Sequence, residues 1–488
     1  MPLCGHSTVL VSRRRQTQFS ILGHSYSTFL LHVPIPLCAP PSAKSAIRYA
    51  EPGEFTRRAF LNDRLDLTQI EALGDTLHAA TEQQRRLSVR GTTSGLAKRY
   101  DEWRTQLLLA RGELEALIDF SEDQHFDESP TTLAASVAVQ VRALKRLLEL
   151  HSTNAVRGEL LRNGITLSLL GAPNAGKSSL LNRIVGREAA IVSREAGTTR
   201  DVVEVGIDLG GYFCRIGDTA GLRRVNEGLT AGTGHDSESS VSSVEKEGIK
   251  RAKARAMQSD VVVVVLSFDA HYNPQTLQTE VALHFDPEVV ETANTLIRDR
   301  DNVIVLINKT DIAPIGTSPA DWLRHVQNTF PHLNETQIFC VSCKDAEASS
   351  PHDKDPGNIQ AFLSGLVSKF TSITSAATPS ADDIAAHADP SIWQESLGAT
   401  ERHRLLLDEC VMHLDAFLAE VEAVTDGEGG HMNGGVNAEL EHGDVDIVLA
   451  AESLRAAANC LAKITGRGGA GDVEEVLGVV FEKFCVGK

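Results

Sequence analysis

The sequence predicts an α/β domain, built on a doubly wound sheet, inserted into an all-α helical domain. Three observations carry that prediction. The run Gly171-Ala-Pro-Asn-Ala-Gly-Lys-Ser178 follows the apolar stretch Ile165–Leu170 and opens onto Ser179-Leu-Leu-Asn-Arg-Ile184. Downstream, short runs rich in β-branched residues each end at a polar motif. On either side, apolar residues recur at spacings of three and four, the period of a helix with one buried face.

The first run has the spacing G-x-x-x-x-G-K-S between a strand and a helix. Glycines at those positions let backbone N–H groups close around phosphate oxygens. Lys177 then reaches the β- and γ-phosphates, Ser178 binds Mg²⁺, and Asn174, Ala175, Gly176 and Ser179 complete the loop.

The strands that follow are expected at Val202–Asp208, Tyr212–Ile216, Val261–Leu266, Val303–Ile307 and Ile338–Val341. Gly197-Thr-Thr-Arg-Asp201, Asp218-Thr-Ala-Gly221, Asn308-Lys-Thr-Asp311 and Ser342-Cys-Lys344 fall where a doubly wound sheet places loops beyond strand carboxyl ends. Asp218, with Thr219 and Ala220 after it, is positioned for the Mg²⁺ shell, and Gly221 can turn its N–H towards a γ-phosphate. Asn308, Lys309 and Asp311 suit guanine, because a carboxylate accepts from N1–H and the exocyclic amine, which adenine cannot offer. Ser342, Cys343 and Lys344 form a second guanine-side loop. Each motif alone is compatible with an ordinary turn; their order specifies a GTP site.

Many switch GTPases carry a glutamine just after D-x-x-G to orient the attacking water. Here that residue is Leu222, so another group must supply the charge stabilisation. Asn174 offers a side-chain oxygen beside the phosphates, which suits a K⁺ ligand. Its other reading is a brace for the loop.

Trp103, Leu107, Ala110, Leu114 and Leu117 form one helical stripe, Val137, Val141, Leu144 and Leu148 a second, and Leu407, Val411, Leu414, Leu418 and Val421 a third. They are assigned to one helical domain in two parts, residues 65–160 and 379–488, around an α/β domain at 161–378, with residues 1–64 preceding. Asp66 with Gln69 reads as a capping-box-like start to a helix through Leu77. Asn226–Ser243, Ser372–Pro390 and Thr425–Asp444 lack apolar periodicity and read as poorly ordered loops.

The formal net charge is −18, unlike the basic footprint usual for nucleic-acid binders. Arg85, Arg86, Arg90, Lys98 and Arg99 form a local basic cluster, which reads either as an RNA contact or as a solvated helix face. Eight cysteines are scattered without a disulfide framework. Cys340-Val-Ser-Cys343 overlaps a strand and a loop, so packing explains it better than metal or redox chemistry. No apolar run reaches the roughly 18 residues a membrane span requires.

The segments PNAGKSSLLN, REAAIVSREAGTTRD and DTAGLR resemble the TrmE–Era–Obg branch of GTPases. Glu51-Pro-Gly-Glu-Phe-Thr-Arg-Arg-Ala-Phe-Leu-Asn-Asp-Arg-Leu-Asp-Leu67 and the chain end Phe484-Cys-Val-Gly-Lys488 narrow this to the MnmE/TrmE tRNA modification GTPase family, in a eukaryotic mitochondrial version. The fold so implied is a Ras-like P-loop G domain inserted into a helical domain, with a remnant of an N-terminal folate-binding α+β domain. The resemblance implies K⁺-dependent pairing of two G domains in a homodimer, with a K⁺ site at Asn174, Ser193, Glu195 and Thr198. It implies Mg²⁺ ligation by Ser178 and Thr199, water placement by Glu245, and weaker switch assignments for Arg200 and Arg223. An MnmG-type flavoprotein partner, tRNA, C5 modification of the wobble uridine and a tetrahydrofolate one-carbon donor follow from it too. Cys485 matches a cysteine proposed to join that chemistry. A helix C-terminus disfavours a thiolate, so an inert buried thiol stands beside the active reading.

The family's glycine-rich folate segment has no counterpart before Glu51. Residues 1–50 contain no Asp or Glu but do contain Arg13-Arg-Arg15 and seven serines, the composition of a mitochondrial import segment. An import leader and a truncation through the folate domain both fit. Of the folate contacts, Arg64 stands where the family has lysine, and Lys488 matches the terminal lysine. Impaired folate binding is therefore expected, and dimerisation through that domain is placed in question. Two further functions compete: a ribosome-assembly switch of the Era or EngA kind, and a truncated GTPase that cannot complete modification.

Overall fold

The computed structural model describes residues 10–11, 48–49, 53–93, 95–120, 130–185, 189–195, 204–217, 252–273, 278–314, 316–347, 355–379, 391–425 and 446–467. The chain divides into two compact units, residues 1–66 with 470–488, and Leu67–Gly469. In the smaller unit β1 (Leu10–Val11) pairs antiparallel with β2 (Arg48–Tyr49), and α1 (Glu54–Leu61) follows. Arg64 is exposed just after α1.

The larger unit begins with α2 (Leu67–His78), α3 (Glu82–Gly91), α4 (Gly95–Phe120) and α5 (Pro130–Asn163). At 34 residues, α5 is about 51 Å long. It delivers the chain directly to β3 (Ile165–Gly171) through Gly164, whose φ of +89° is open to glycine at little cost. A Cβ at Gly164 would also meet the Phe213 ring at 2.5 Å.

The sheet continues with α6 (Lys177–Arg183), β4 (Ala190–Glu195), β5 (Glu204–Leu209), β6 (Tyr212–Ile216), β7 (Val261–Asn273) and β8 (Gln278–His284). Then come α7 (Pro287–Asp299), β9 (Val303–Asn308), α8 (Pro319–Thr329), β10 (Ile338–Cys340) and α9 (Ile359–Thr374). Strand order is β10-β9-β7-β3-β6-β5-β4, with β8 paired to β7. From β10 to β6 neighbouring strands are parallel; β6-β5-β4 and β7-β8 are antiparallel.

Two core layers follow from the pleat. Val261, Val263 and Val265 join Leu180, Phe362, Leu366 and Phe370 on one face, while Val262, Val264 and Leu266 join Val289, Leu296, Val326 and Phe330 on the other. These six residues of β7 are all buried, as expected of a central strand covered on both faces. Each such valine stabilises the sheet by about 1.5–3 kcal/mol relative to exposure.

The chain closes with α10 (Ser391–Ser396), α11 (Glu401–Thr425) and α12 (Ile447–Thr465). The stripes foreseen on α4, α5 and α11 meet α12 in a single core holding Trp103, Leu107, Leu114, Val137, Val141, Leu148, Leu407, Leu414, Val421, Leu454 and Leu461. The side chain of Leu117 lies outside the described residues. The α/β sheet thus interrupts a helical bundle in sequence, the fold class read from the pattern. Among the described residues no helix is long and apolar enough to cross a membrane.

Some expectations need correction. β7 was expected to end at Leu266, yet it runs seven residues further because Ser267–Asn273 pairs with β8, a strand that went unforeseen. Residues 204–209 form β5, one residue later at its end than expected; residues 202–203 lie outside the described set. The Ser372–Pro390 stretch is ordered at its start. α9 runs through Thr374, and the buried Asn154 then holds Ala377 by accepting from its N–H at 2.6 Å and donating to its carbonyl at 3.0 Å. Residues 380–390, with 226–243 and 426–444, lie outside the described residues.

Candidate functional site

Parallel neighbours β3, β7, β9 and β10 bring three of the motif loops to the sheet's carboxyl-terminal edge. The loop after β3 turns through Asn174, at φ 61°, and Gly176, at φ 92°. Asparagine tolerates that left-handed geometry better than most residues. Asn174, Ser178 and Ser179 are exposed, whereas Ala175 is buried. Lys177 opens α6 and curls back, donating to the carbonyls of Gly171 at 2.8 Å and Ala172 at 2.7 Å. The amine therefore lies across the mouth of its own loop.

Asn308, the last residue of β9, is 2% exposed. Its Nδ2 donates to the Ala175 carbonyl at 2.9 Å, and its Oδ1 is buried with no hydrogen-bond partner among the described residues. Lys309 adopts φ 61°, a left-handed geometry that costs a non-glycine residue about 1–3 kcal/mol. An ion pair to Asp269 at 2.7 Å holds it there. Asp311 accepts from the Ser342 hydroxyl at 3.1 Å, and the Lys344 amine lies 3.6 Å from its other oxygen. Ser342 is buried, and its Oγ also accepts from the Asp345 N–H at 3.0 Å. The backbone of Thr310 donates to Val341 at 3.3 Å, which links the β9 and β10 loops. Three segments distant in sequence thus share one rim.

Cys343 stands on that rim and Cys340 ends β10. Burial pushes each thiol up to about 11. Both are then neutral at physiological pH, which suits packing rather than redox chemistry. Asp269 escaped the sequence reading because it sits on the unforeseen extension of β7. Arg183, which donates to the Cys343 carbonyl at 3.4 Å, had no motif to mark it.

On the far side of the sheet, β4 carries Ser193 opposite Gly206 and Glu195 opposite Glu204, with a register shift between Ile191 and Ser193. Only their backbone is described. Thr198, Thr199, Arg200, Asp218, Thr219, Ala220, Gly221, Arg223, Glu245, Cys485 and Lys488 lie outside the described residues. Of the basic cluster, Arg85 and Arg86 each pair with Glu82 at 2.8 Å and Arg99 with Glu102 at 3.0 Å. Pairs this open to solvent contribute little to stability.

The helical part meets the sheet around Arg162, near the end of α5. It pairs with Asp75 at 2.6 Å and donates to the carbonyls of Gly398 and Ala399 at 3.2 and 3.3 Å. Gln84 donates to the Arg162 carbonyl at 2.8 Å, and the adjoining Gln83 N–H donates to Gly211, in the β5–β6 turn, at 3.1 Å.

Comparison with known proteins agrees with this architecture. The family model described as the MnmE helical domain matches residues 67–485. The tRNA modification GTPase MnmE of Paramagnetospirillum magneticum is 37% identical over 91% of this chain and 77% of its own length. The mitochondrial tRNA modification GTPase mss1 of Schizosaccharomyces pombe is 34% identical, covering 91% of this chain and 75% of that protein. The mitochondrial 5-taurinomethyluridine-tRNA synthase subunit GTPB3 of Danio rerio is 33% identical, covering 91% and 73%. Among solved structures, Aquifex aeolicus Era bound to GDP and AlF4⁻ is 23% identical over 42% of this chain and 56% of that one, at a TM-score of 0.25. That last likeness is too partial to carry weight beside the strand order. A relative sharing more than a third of its residues across nine-tenths of the chain, and a helical-domain match on both sides of the sheet, settle the kinship: the chain belongs to the MnmE family.

Proposed function

We propose that this chain is a GTP hydrolase acting in tRNA modification. The observation that carries the guanine choice is the Asp311 carboxylate, fixed by the Ser342 hydroxyl at 3.1 Å beside Asn308 and the glycine-rich loop. A carboxylate so held accepts from both donors on guanine's Watson–Crick edge and is repelled by adenine's acceptor there. Asn308 adds an amide hydrogen suited to a purine N7. Lys177, already spanning the loop mouth, would exchange its carbonyl partners for phosphate oxygens at the N-terminus of α6, where the backbone amides also favour an anion. Ser178, exposed at the start of α6, would hold Mg²⁺ together with Thr199. A magnesium ion there supplies neutralisation of charge on the β- and γ-oxygens.

The finer reading extends this. Asn174, exposed at the tip of the loop, would hold K⁺ with the Ser193, Glu195 and Thr198 segment, in the role an arginine finger has elsewhere. Pairing of two G domains, Glu245 placing the water, and Arg200 in the switch belong to the same reading. So do Cys485 in the modification step, an MnmG-type flavoprotein partner, and a tetrahydrofolate donor near Arg64 and Lys488. Two relatives carry mitochondrial names, and a mitochondrial site of action is part of the proposal.

Two measurements test it. Purified protein should hydrolyse GTP faster in K⁺ than in Na⁺, with ATP failing to compete. Mass spectrometry of mitochondrial tRNA from a deletion strain rescued with this chain should show restored wobble-uridine modification. GTP hydrolysis without restoration would reduce the role to that of a GTPase alone. Normal tRNA with defective ribosomal subunits would point to an assembly switch.

A further inference from the structure

A second cluster of chemistry-bearing side chains lies in the helical core, on elements that carry none of the nucleotide-site loops. Glu409 and His413 stand one turn apart on α11, and Cys460 faces them from α12. One ligand atom from each, a carboxylate oxygen, an imidazole nitrogen and the thiol sulfur, lie within 4.8 Å of one another. The His413 Nε2 is 4.0 Å from Glu409 Oε1. We propose that Glu409, His413 and Cys460 form a binding site for a divalent transition metal of the zinc class.

The geometry and the donor chemistry agree. Spacing of i, i+4 puts the first two donors on one helix face. Zinc bound tetrahedrally at about 2.0–2.3 Å from S, N and O ligands brings those atoms roughly 3.3–3.7 Å apart. Closing from 4.8 Å asks only for rotamer changes in Glu409 and His413, whose side chains are 45% and 28% exposed. Cys460 is 3% exposed, so the sulfur is fixed by the core while the other two donors approach it from the surface. An ion can therefore enter from solvent and be gripped from inside. Thiolate and imidazole together select zinc, cobalt or cadmium over magnesium and calcium, the hard ions that prefer oxygen. Three protein ligands leave one position for water. The metal would pin α11 to α12, two of the helices that build the helical core, independently of the nucleotide.

The test uses the purified full chain, reduced, stripped with chelator and free of nucleotide, titrated with Co²⁺. The expected result is stoichiometric growth of a thiolate-to-cobalt charge-transfer band with tetrahedral d–d bands, bleached by Zn²⁺ but not by Mg²⁺. Glu409→Gln and His413→Gln, both at partly exposed positions, should weaken binding by at least the roughly 10–100-fold that even an outer-shell change costs. Cys460→Ser should abolish the charge-transfer band. A double Cys340→Ser, Cys343→Ser variant should leave it unchanged. Absence of the band overturns the proposal, as does a band that survives His413→Gln and Glu409→Gln or vanishes in the Cys340/Cys343 variant. Should Cys460→Ser fail to fold, the two surface variants still decide.

Discussion

Gly176 and Asn308 compete for the same space: a Cβ on Gly176 would lie 2.0 Å from Asn308 Nδ2, the atom that donates to the Ala175 carbonyl at 2.9 Å. The loop after β3 and the end of β9 are thereby built against each other. Asn308 is buried and cannot swing aside, and Gly176 also sits at φ 92°. Gly176→Ala is therefore strained twice. It should lower affinity for a fluorescent guanine nucleotide more than tenfold and depress Tm. Asn308→Ala leaves the Ala175 carbonyl without its donor and should cost about 1–3 kcal/mol of stability. Wild-type titration curves for Gly176→Ala would show that the loop does not close around a ligand as proposed.

Asp311 gives a second, sharper test. Asp311→Asn replaces an acceptor with a group that also donates. Guanine then loses its carboxylate, while xanthine, with a carbonyl where guanine has its amine, gains a donor. A site built around hydrogen bonds rejects a mismatched base by on the order of 10⁴-fold. Competition between GTP and XTP should invert in the variant. Retained GTP preference would mean that the base lies elsewhere.

The loop around Lys177 and the spacing of Asn308 and Asp311 were legible because each is a short local pattern whose backbone geometry demands particular residues. The helical stripes were legible for the same reason. What escaped was long-range. Arg162 meets Asp75 across 87 residues, and Arg402 meets Glu71 at 2.7 Å across 331. No local spacing announces such partners. β8 escaped because Gln278-Thr-Glu-Val-Ala-Leu-His284 is too polar at its start to look like a strand; it acquires its state only from the edge that β7 offers. Asn154 has no helical-stripe signature, yet it is fully buried and orders residue 377.

Arg162 ties the end of α5 to α2 and to the turn after α10, just before the chain enters the Gly164 turn into β3. Its ion pair with Asp75 is mostly shielded, at 17% and 24% side-chain exposure, and its other nitrogens hold the Gly398 and Ala399 carbonyls. Arg162→Ala should destabilise the chain by about 2–3 kcal/mol, read from denaturant midpoints. Because α5 runs straight into β3, the variant should also lower tRNA modification in the rescue assay more than it lowers GTP hydrolysis. Equal losses would make Arg162 a stability residue only.

Acid should loosen the helical core in two stages, and His151, together with His403, whose pKa burial also lowers, sets the first. The imidazole is 1% exposed, packed edge-on against Trp103 at 4.6 Å and near Tyr100 and Trp393, and neither ring nitrogen has a hydrogen-bond partner among the described residues. Burial first, and the charge of Arg99 second, lower its pKa to about 3. The unfolded chain, with a histidine pKa of about 6.5, binds this proton far more readily. Stability from His151 is thus complete above pH about 6.5 and falls by about 1.4 kcal/mol per unit as pH drops towards 3. Glu71 adds the second stage. Its carboxylate, though desolvated, is held well below the usual range by His403 and Arg402, so its contribution is lost only below the unfolded value of about 4.3. His151→Leu keeps the pocket apolar and removes the titrating group. Urea midpoints between pH 7 and 5 should then become flatter than wild type, while the steeper loss below about 4.3 remains. An unchanged slope between pH 7 and 5 would place the acid-sensitive proton on another side chain.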